Sequence, residues 1–280
     1  MNPSLKISII IPCFNQGDFL REALENISSI PGKERFEIII VDDGSTDQPT
    51  LRYMEELQSK NYIVIHQQNK GLGAARNTGI RNASAPYILP LDCDNKIRAE
   101  YISEGIKELD GDPQTDVVYG NGEFFGEKKG AMISGEFNLQ KLMTGNYIDA
   151  CAIFRRSSWE KAGGYDEKMP LMGYEDWDLW LRMAFGQCRF RYIDKTLFDY
   201  RYSQRSMINS IDSGSYEKVM AYMQEKHKAY LNQAWLNHLI YHRVRQKRSL
   251  AFRLLFFSLF PRLSDYLAKR KKLKKKNVIY

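Results

Sequence analysis

Residues 87–95 read YILPLDCDN, an apolar run that ends in two aspartates with one cysteine between them. In extended backbone, side chains two apart point the same way. Asp92 and Asp94 are therefore expected to share one side, with Cys93 turned back toward the core. Two carboxylates that close repel and raise one another's pKa unless a cation lies between them. Hard divalent ions such as Mg²⁺ favour oxygen ligands and often bind through one or two carboxylates plus phosphate oxygens. The chemistry implied is a metal–diphosphate site. The plain alternative is a solvated turn with a helix cap, but the buried run before it argues for a site. Pro90 cannot donate to a sheet ladder, so the strand is expected to end, or meet a sheet edge, at that residue.

Two further acidic stretches invite the same weighing. VDDGSTD, residues 41–47, follows another apolar run. A carboxylate there could accept from ribose hydroxyls or a base N–H, while Thr46 or Asp47 could simply cap the next helix. In GYEDWDLWLRM, residues 173–183, Trp177, Leu179, Trp180 and Leu181 supply apolar packing, so Glu175, Asp176 and Asp178 are not all core-facing. Acids at a helix start suit the helix dipole; the functional reading makes one of them a general base. NKGLGAARNTG contains G-x-G, and Asp92 lies 21 residues after Gly71. Arg76 nevertheless occupies the third glycine's place, and four residues separate the glycines from the strand, which rejects a dinucleotide fold.

The elements that must position these groups alternate. KISIIIP, FEIIIVDD, YIVIH, YILPL and DVVYG read as strands, and helical segments lie between them. This pattern means β-α-β units around a mostly parallel sheet. Ligands bind beyond the carboxyl ends of such strands, where Pro12–Asn15, Asp42–Ser45 and Asp92–Asp94 all fall. After about Gly126 the signals are mixed: IDACAIFRR, CRFRYI and TLFDYRY look like strands, and SQRSMINSIDSGS, residues 203–215, looks like a loop or linker.

Composition narrows the class. The 280 residues allow one large domain or two small ones. Cys13, Cys93, Cys151 and Cys188 never form C-x-x-C, which argues against a zinc site or a disulfide framework. No run reaches the roughly 18 residues of a spanning helix, and MNPSLKIS lacks the pattern of a signal peptide. The net charge of +7 divides unevenly: residues from Ala234 onward carry +12, and the preceding body −5.

SIIIPCFNQ, VDDGSTD, NKGLGAARNTGI, LPLDCDN and GYEDWDLWLRM, in this order between Ser8 and Met207, resemble the family 2 glycosyltransferases. The resemblance implies a GT-A fold, a mostly parallel central sheet flanked by helices, followed here by a helical C-terminal extension. It implies an inverting enzyme that uses a nucleotide-diphosphate sugar, usually a UDP-sugar by family frequency, and a divalent cation, Mn²⁺ or Mg²⁺. It places the backbone around Pro12, Phe14 and Asn15 against the nucleotide, with Asp42 and Asp43 near the base. Arg76 and Asp92 would lie near ribose and phosphates, and Asp94, with Asp92, at the metal. Asp176 matches the base, Glu175 would position the acceptor, and Arg201 would steady the departing diphosphate. Some members bring a late histidine to the metal; YRYSQRSMI has none. The Q-x-x-R-W motif of processive members is also absent, which favours transfer of single residues.

The expected organisation is a catalytic domain over residues 1–215, with a nucleotide part to about 120 and an acceptor part after it, then a basic helical extension over 216–280. The tail sets large apolar groups beside clustered cations, which suits a helix lying on an anionic membrane surface. No aromatics interleave its lysines, so nucleic acid is not an expected partner. The expected setting is cytoplasmic, peripheral to the inner face of the membrane, with a glycan or lipid-linked acceptor. Two other readings are a catalytically inactive nucleotide-sugar binding protein and a sugar-phosphate nucleotidyltransferase. The second should carry basic residues right after the first strand, and PCFNQGDF has none.

Overall fold

The structure, a computed structural model, describes residues 5–204 and 213–230. It opens with the expected alternation: β1 (Ile7–Cys13), α1 (Gly17–Ser28), β2 (Phe36–Asp42), α2 (Gln48–Ser59), β3 (Ile63–His66), α3 (Leu72–Arg81) and β4 (Tyr87–Pro90). These four strands are parallel, and Ile7 pairs with Phe36 on one side and Tyr87 on the other. β4 does end at Pro90, inside the sheet rather than at its edge. All seven residues of β1 are buried. Ile7, Ile9, Ile11 and Cys13 join Leu20, Leu24 and Ile27 of α1 on one face, while Ile10 joins Ala75 and Ile80 of α3 on the other. This two-sided burial explains a run that is apolar on both faces from Ile9 to Cys13, where a half-exposed strand would alternate. Gly79 lets α3 lie close on β1, because a Cβ there would stand 2.3 Å from Ile10 Cγ2.

The chain continues through β5 (Lys96–Ile97), α4 (Ala99–Gly111), β6 (Thr115–Gly126), β7 (Gly130–Met132), α5 (Leu139–Thr144), β8 (Ile153–Arg155), α6 (Arg156–Ala162), α7 (Glu175–Phe185), β9 (Arg189–Tyr202) and α8 (Ser213–Lys226). The strand order is β3-β2-β1-β4-β8-β6-β9-β5, with β7 on β6. The two late segments CRFRYI and TLFDYRY form one strand, β9. It runs parallel to β6 along its whole length, with register shifts around Gly120–Gly122 that absorb the polar Asp194–Lys195.

α8 packs in the same compact unit as the sheet, through Val219, Met220 and Met223. The first unit covers Met1–Lys228 and the second Ala229–Tyr280. The boundary expected at residue 215 thus falls within α8. Part of the expected linker (205–212) and the extension from residue 231 onward lie outside the described residues. Among the described residues no helix is long and apolar enough to cross a membrane.

Candidate active site

A cavity of about 380 Å³ opens at the carboxyl ends of the parallel strands. Pro12 and Cys13 line it from β1 and Phe14 from just after it, Asp43 from just after β2, Arg76 from α3, Asp92–Asp94 from the turn after β4, and Glu175 and Asp176 from α7.

Arg76 joins the two acidic motifs. Its Nη2 donates to Asp92 Oδ1 at 2.6 Å and its Nη1 to Glu175 Oε1 at 3.0 Å. Burial works against this cation, but Asp92, Tyr165 and Glu175 outweigh it and raise its pKa. Glu175 also accepts from the backbone N–H groups of Gly173 and Tyr174, at 2.7 and 3.0 Å. The Arg that broke the glycine pattern is therefore the piece that docks the start of α7 against the aspartate turn.

The D-x-D stretch is a turn and not the extended backbone expected, closed by the Asn95 N–H on Asp92 O at 2.9 Å. Asp92 and Asp94 still both reach the cavity. Cys93 is buried, as expected, and its Sγ donates to Gln16 Oε1 at 2.8 Å. Burial, with the Asp92 charge beside it, pushes the Asp94 carboxyl up to about 6. A cation between the two would relieve that shift, and the oxygen donors suit Mg²⁺ or Mn²⁺. Among the described residues no cluster of three His, Cys, Asp or Glu side chains forms a complete protein cage. Asp92 and Asp94 are the carboxylates of this turn that could hold a divalent cation.

Asp176 is half-buried. Its Oδ2 accepts from Asn146 Nδ2 at 2.8 Å and its Oδ1 from the Trp177 N–H at 2.8 Å. Burial, then the Glu175 charge, pushes it up to about 8. Its helix is fixed by Trp177 and Trp180, whose indole N–H groups donate to the carbonyls of Leu142 and Ile148. Asp178 faces away, fully buried, and takes Arg182, Lys226 at 2.9 Å and His227 at 2.9 Å. Burial disfavours its charge, but His227, Arg182 and Lys226 prevail and hold its pKa well below the carboxylate range.

Three expected donor contacts do not line the cavity. Asp42 accepts from the Ser45 N–H and faces His66, both at 2.9 Å, so it braces its own turn. Asn15, at φ 54°, accepts from the Thr46 N–H at 2.7 Å and ties the first loop to the second. Arg201 lies between the Phe19 and Phe125 rings, donates to the Asp94 carbonyl at 3.1 Å and pairs with Glu22 at 2.6 Å. It steadies the turn that carries Asp94. Asp43 does reach the cavity, but its carboxylate already accepts from Gln67 Nε2 and the N–H groups of Lys70 and Gly71. Asp47 caps α2 by accepting from the Thr50 N–H at 2.9 Å.

Asp149 and Tyr200 line the same cavity and were not singled out in the sequence. A signal for Asp149 existed, since IDACAIF sets an acid beside an apolar run as YILPLD does. β8 runs antiparallel to β4, so its start meets the same sheet edge where β4 finishes.

The model of the Glycosyl transferase family 2 matches residues 8–163, more than half of the chain. The chain belongs to family 2 of the glycosyltransferases. The glycosyltransferase GlyA of Streptococcus pneumoniae is 36% identical over 126 residues, 45% of this chain and 18% of that protein. EpsH of Bacillus subtilis is 29% identical over 246 residues, 79% of this glycosyltransferase and 70% of its relative. The structure of S. aureus TarS 1-349 with UDP-GlcNAc has 21% identity and a TM-score of 0.67, covering 89% of this chain and 76% of that one. This glycosyltransferase shares the GT-A fold, with its mostly parallel sheet between helices.

Proposed function

We propose that this glycosyltransferase moves one sugar from a nucleotide-diphosphate donor, uridine-based, to a hydroxyl of a glycan or lipid-linked acceptor of the cell envelope, with inversion. The observation that supports this most is Arg76, which gathers the Asp92–Asp94 turn and the Glu175–Asp176 pair into one cavity.

Asp176 acts as general base and takes the acceptor hydroxyl's proton as that oxygen attacks the anomeric carbon. A base whose pKa lies near the working pH suits this transfer. Glu175, held by Arg76 and two backbone donors, sets the direction of Asp176 and the acceptor. Pro12, Phe14 and the Asp43 corner hold the nucleotide, with Arg76 and Asp92 towards its ribose and phosphates. Asp92 and Asp94 would hold a divalent cation, which when bound offsets the charge of the diphosphate. Arg201 acts on the diphosphate only indirectly, through the Asp94 backbone. The charge of +12 from Ala234 onward supports a peripheral place at an anionic membrane surface.

Calorimetric titration of UDP, GDP and dTDP, with and without Mn²⁺, tests the reading. Metal-dependent binding of one of them, lost in Asp94→Ala, is expected. No binding of any would overturn the nucleotide assignment.

A further inference from the structure

We propose that Asp149 and Tyr200 form the subsite for the hydroxyl groups of the transferred sugar, and that this sugar is neutral, a hexose or N-acetylhexosamine rather than a uronate. The inference rests on the cavity being the nucleotide-sugar site, and deepens that reading.

In an inverting displacement the anomeric carbon sits between the leaving diphosphate and the attacking hydroxyl. The diphosphate end of the cavity is marked by Asp92 and Asp94, the attacking end by Asp176. Groups that face both ends must flank the sugar. Asp149 is such a group: it feels the Asp92 and Asp94 charges, and its own charge acts on Asp176. Tyr200, on β9, is the second, since its hydroxyl feels Asp149, Asp92, Asp94 and Asp176 together. Both line the cavity wall.

Asp149 is held as a binding group should be. Its Oδ1 accepts from the Cys151 N–H at 2.9 Å, and the Cys151 carbonyl accepts from Tyr101 Oη at 2.6 Å. On its other side Ile148 O accepts from Trp180 Nε1 at 3.1 Å. The segment is thus strapped to α4 and to α7 on either side of Asp149. Its second oxygen has no partner among the described residues.

The pair matches a sugar's chemistry. A carboxylate accepts from two hydroxyls, and a phenol both donates and accepts. An anionic sugar would face Asp149 as well as the five other carboxylates that line this cavity, which makes it a poor guest.

The test uses the full chain with Mn²⁺ and reads affinity, not turnover. UDP, UDP-glucose, UDP-galactose, UDP-GlcNAc and UDP-glucuronate are titrated into wild type, Asp149→Asn and Tyr200→Phe. Both variants are expected to keep UDP affinity within about twofold. At least one neutral UDP-sugar should weaken about tenfold, the scale of one hydrogen bond to a charged group. UDP-glucuronate should bind wild type more weakly than the neutral sugars. Unchanged affinities for all three neutral sugars overturn the subsite, and if turnover is lost in the same variant they mark Asp149 as a base. An equal loss of UDP and UDP-sugars overturns it in favour of a scaffold role. Failure of wild type to bind UDP removes the uridine-nucleotide reading on which this inference rests.

Discussion

Arg76 and Glu175, 99 residues apart in the chain, meet as a buried ion pair at 3.0 Å. The same guanidinium holds Asp92 at 2.6 Å, so one side chain sets the distance between the turn after β4 and the start of α7. Removing one partner of such a buried group costs about 3–5 kcal/mol, because the remaining charges are left unpaired. Arg76→Met should lower the urea midpoint accordingly. Arg76→Lys should fold better but lose UDP affinity, since an ammonium cannot hold the two acids as a planar fork does. Wild-type affinity in the lysine variant would dissociate Arg76 from donor binding.

Asp176 must be ionised to accept a proton, and burial with Glu175 alongside pushes it up to about 8. The value of kcat/KM should therefore rise with pH and level off above about 8. Asp176→Asn should cut kcat by about 10²–10⁴ and leave UDP binding intact. Near-normal transfer by that variant would remove Asp176 from the base role and point to another base.

Asp149 gives a pH signature in stability. Burial, followed by the Asp92 charge, pushes it up to about 7, above its value in the unfolded chain. The fold thus holds this proton longer than the unfolded chain does, and stability falls as pH rises from about 4 towards 7. Asp149→Asn cannot ionise, so it should raise Tm clearly at pH 8 and by much less at pH 5. Thermal melts at the two pH values decide this; an equal shift at both would show that charge is not the cause.

Asp178 behaves in the opposite sense. Its depressed pKa makes its contribution present above the ordinary carboxylate value of about 3.9, and progressively lost below it. His227→Ala removes one of its partners and should destabilise the chain by about 1.5–3 kcal/mol at pH 7, the range for a hydrogen bond to a charged group. The deficit should shrink in acid as Asp178 loses its charge. Urea unfolding of both chains across pH 2–7 measures it, and a deficit that is constant with pH would exclude the pairing as its source.

The amino-terminal half was legible because β1 and β4 are buried on both faces, and continuous apolar runs such as Ile9–Ile11 declare themselves without context. The half after β5 was not, because its elements depend on partners far along the chain. β8 is three residues long, and β9 carries polar Asp194 and Lys195 within a strand that β6 holds in line. The motif acids Asp92, Asp94, Glu175 and Asp176 were found from their neighbours in sequence. Which acids would be consumed internally was not: Asp42 and Asp43 look alike in VDDGSTD, yet only Asp43 reaches the cavity, and it arrives with its oxygens engaged. Asp149 escaped notice because an acid before a strand signals a site only once the strand's direction is known.

The clasp on Asp178 also bears on the order in which the molecule can be finished during synthesis. The chain emerges from the ribosome amino end first, and α7 with its buried acid appears some 50 residues before the side chains that neutralise it. Until Lys226 and His227 follow, only Arg182 on the same helix answers Asp178. Strands β1 to β4 can assemble early, whereas α7 gains its full set of partners only once Lys226 and His227 have emerged. Nascent chains halted before Lys226 should hold a formed β1–β4 sheet beside an unsettled α7.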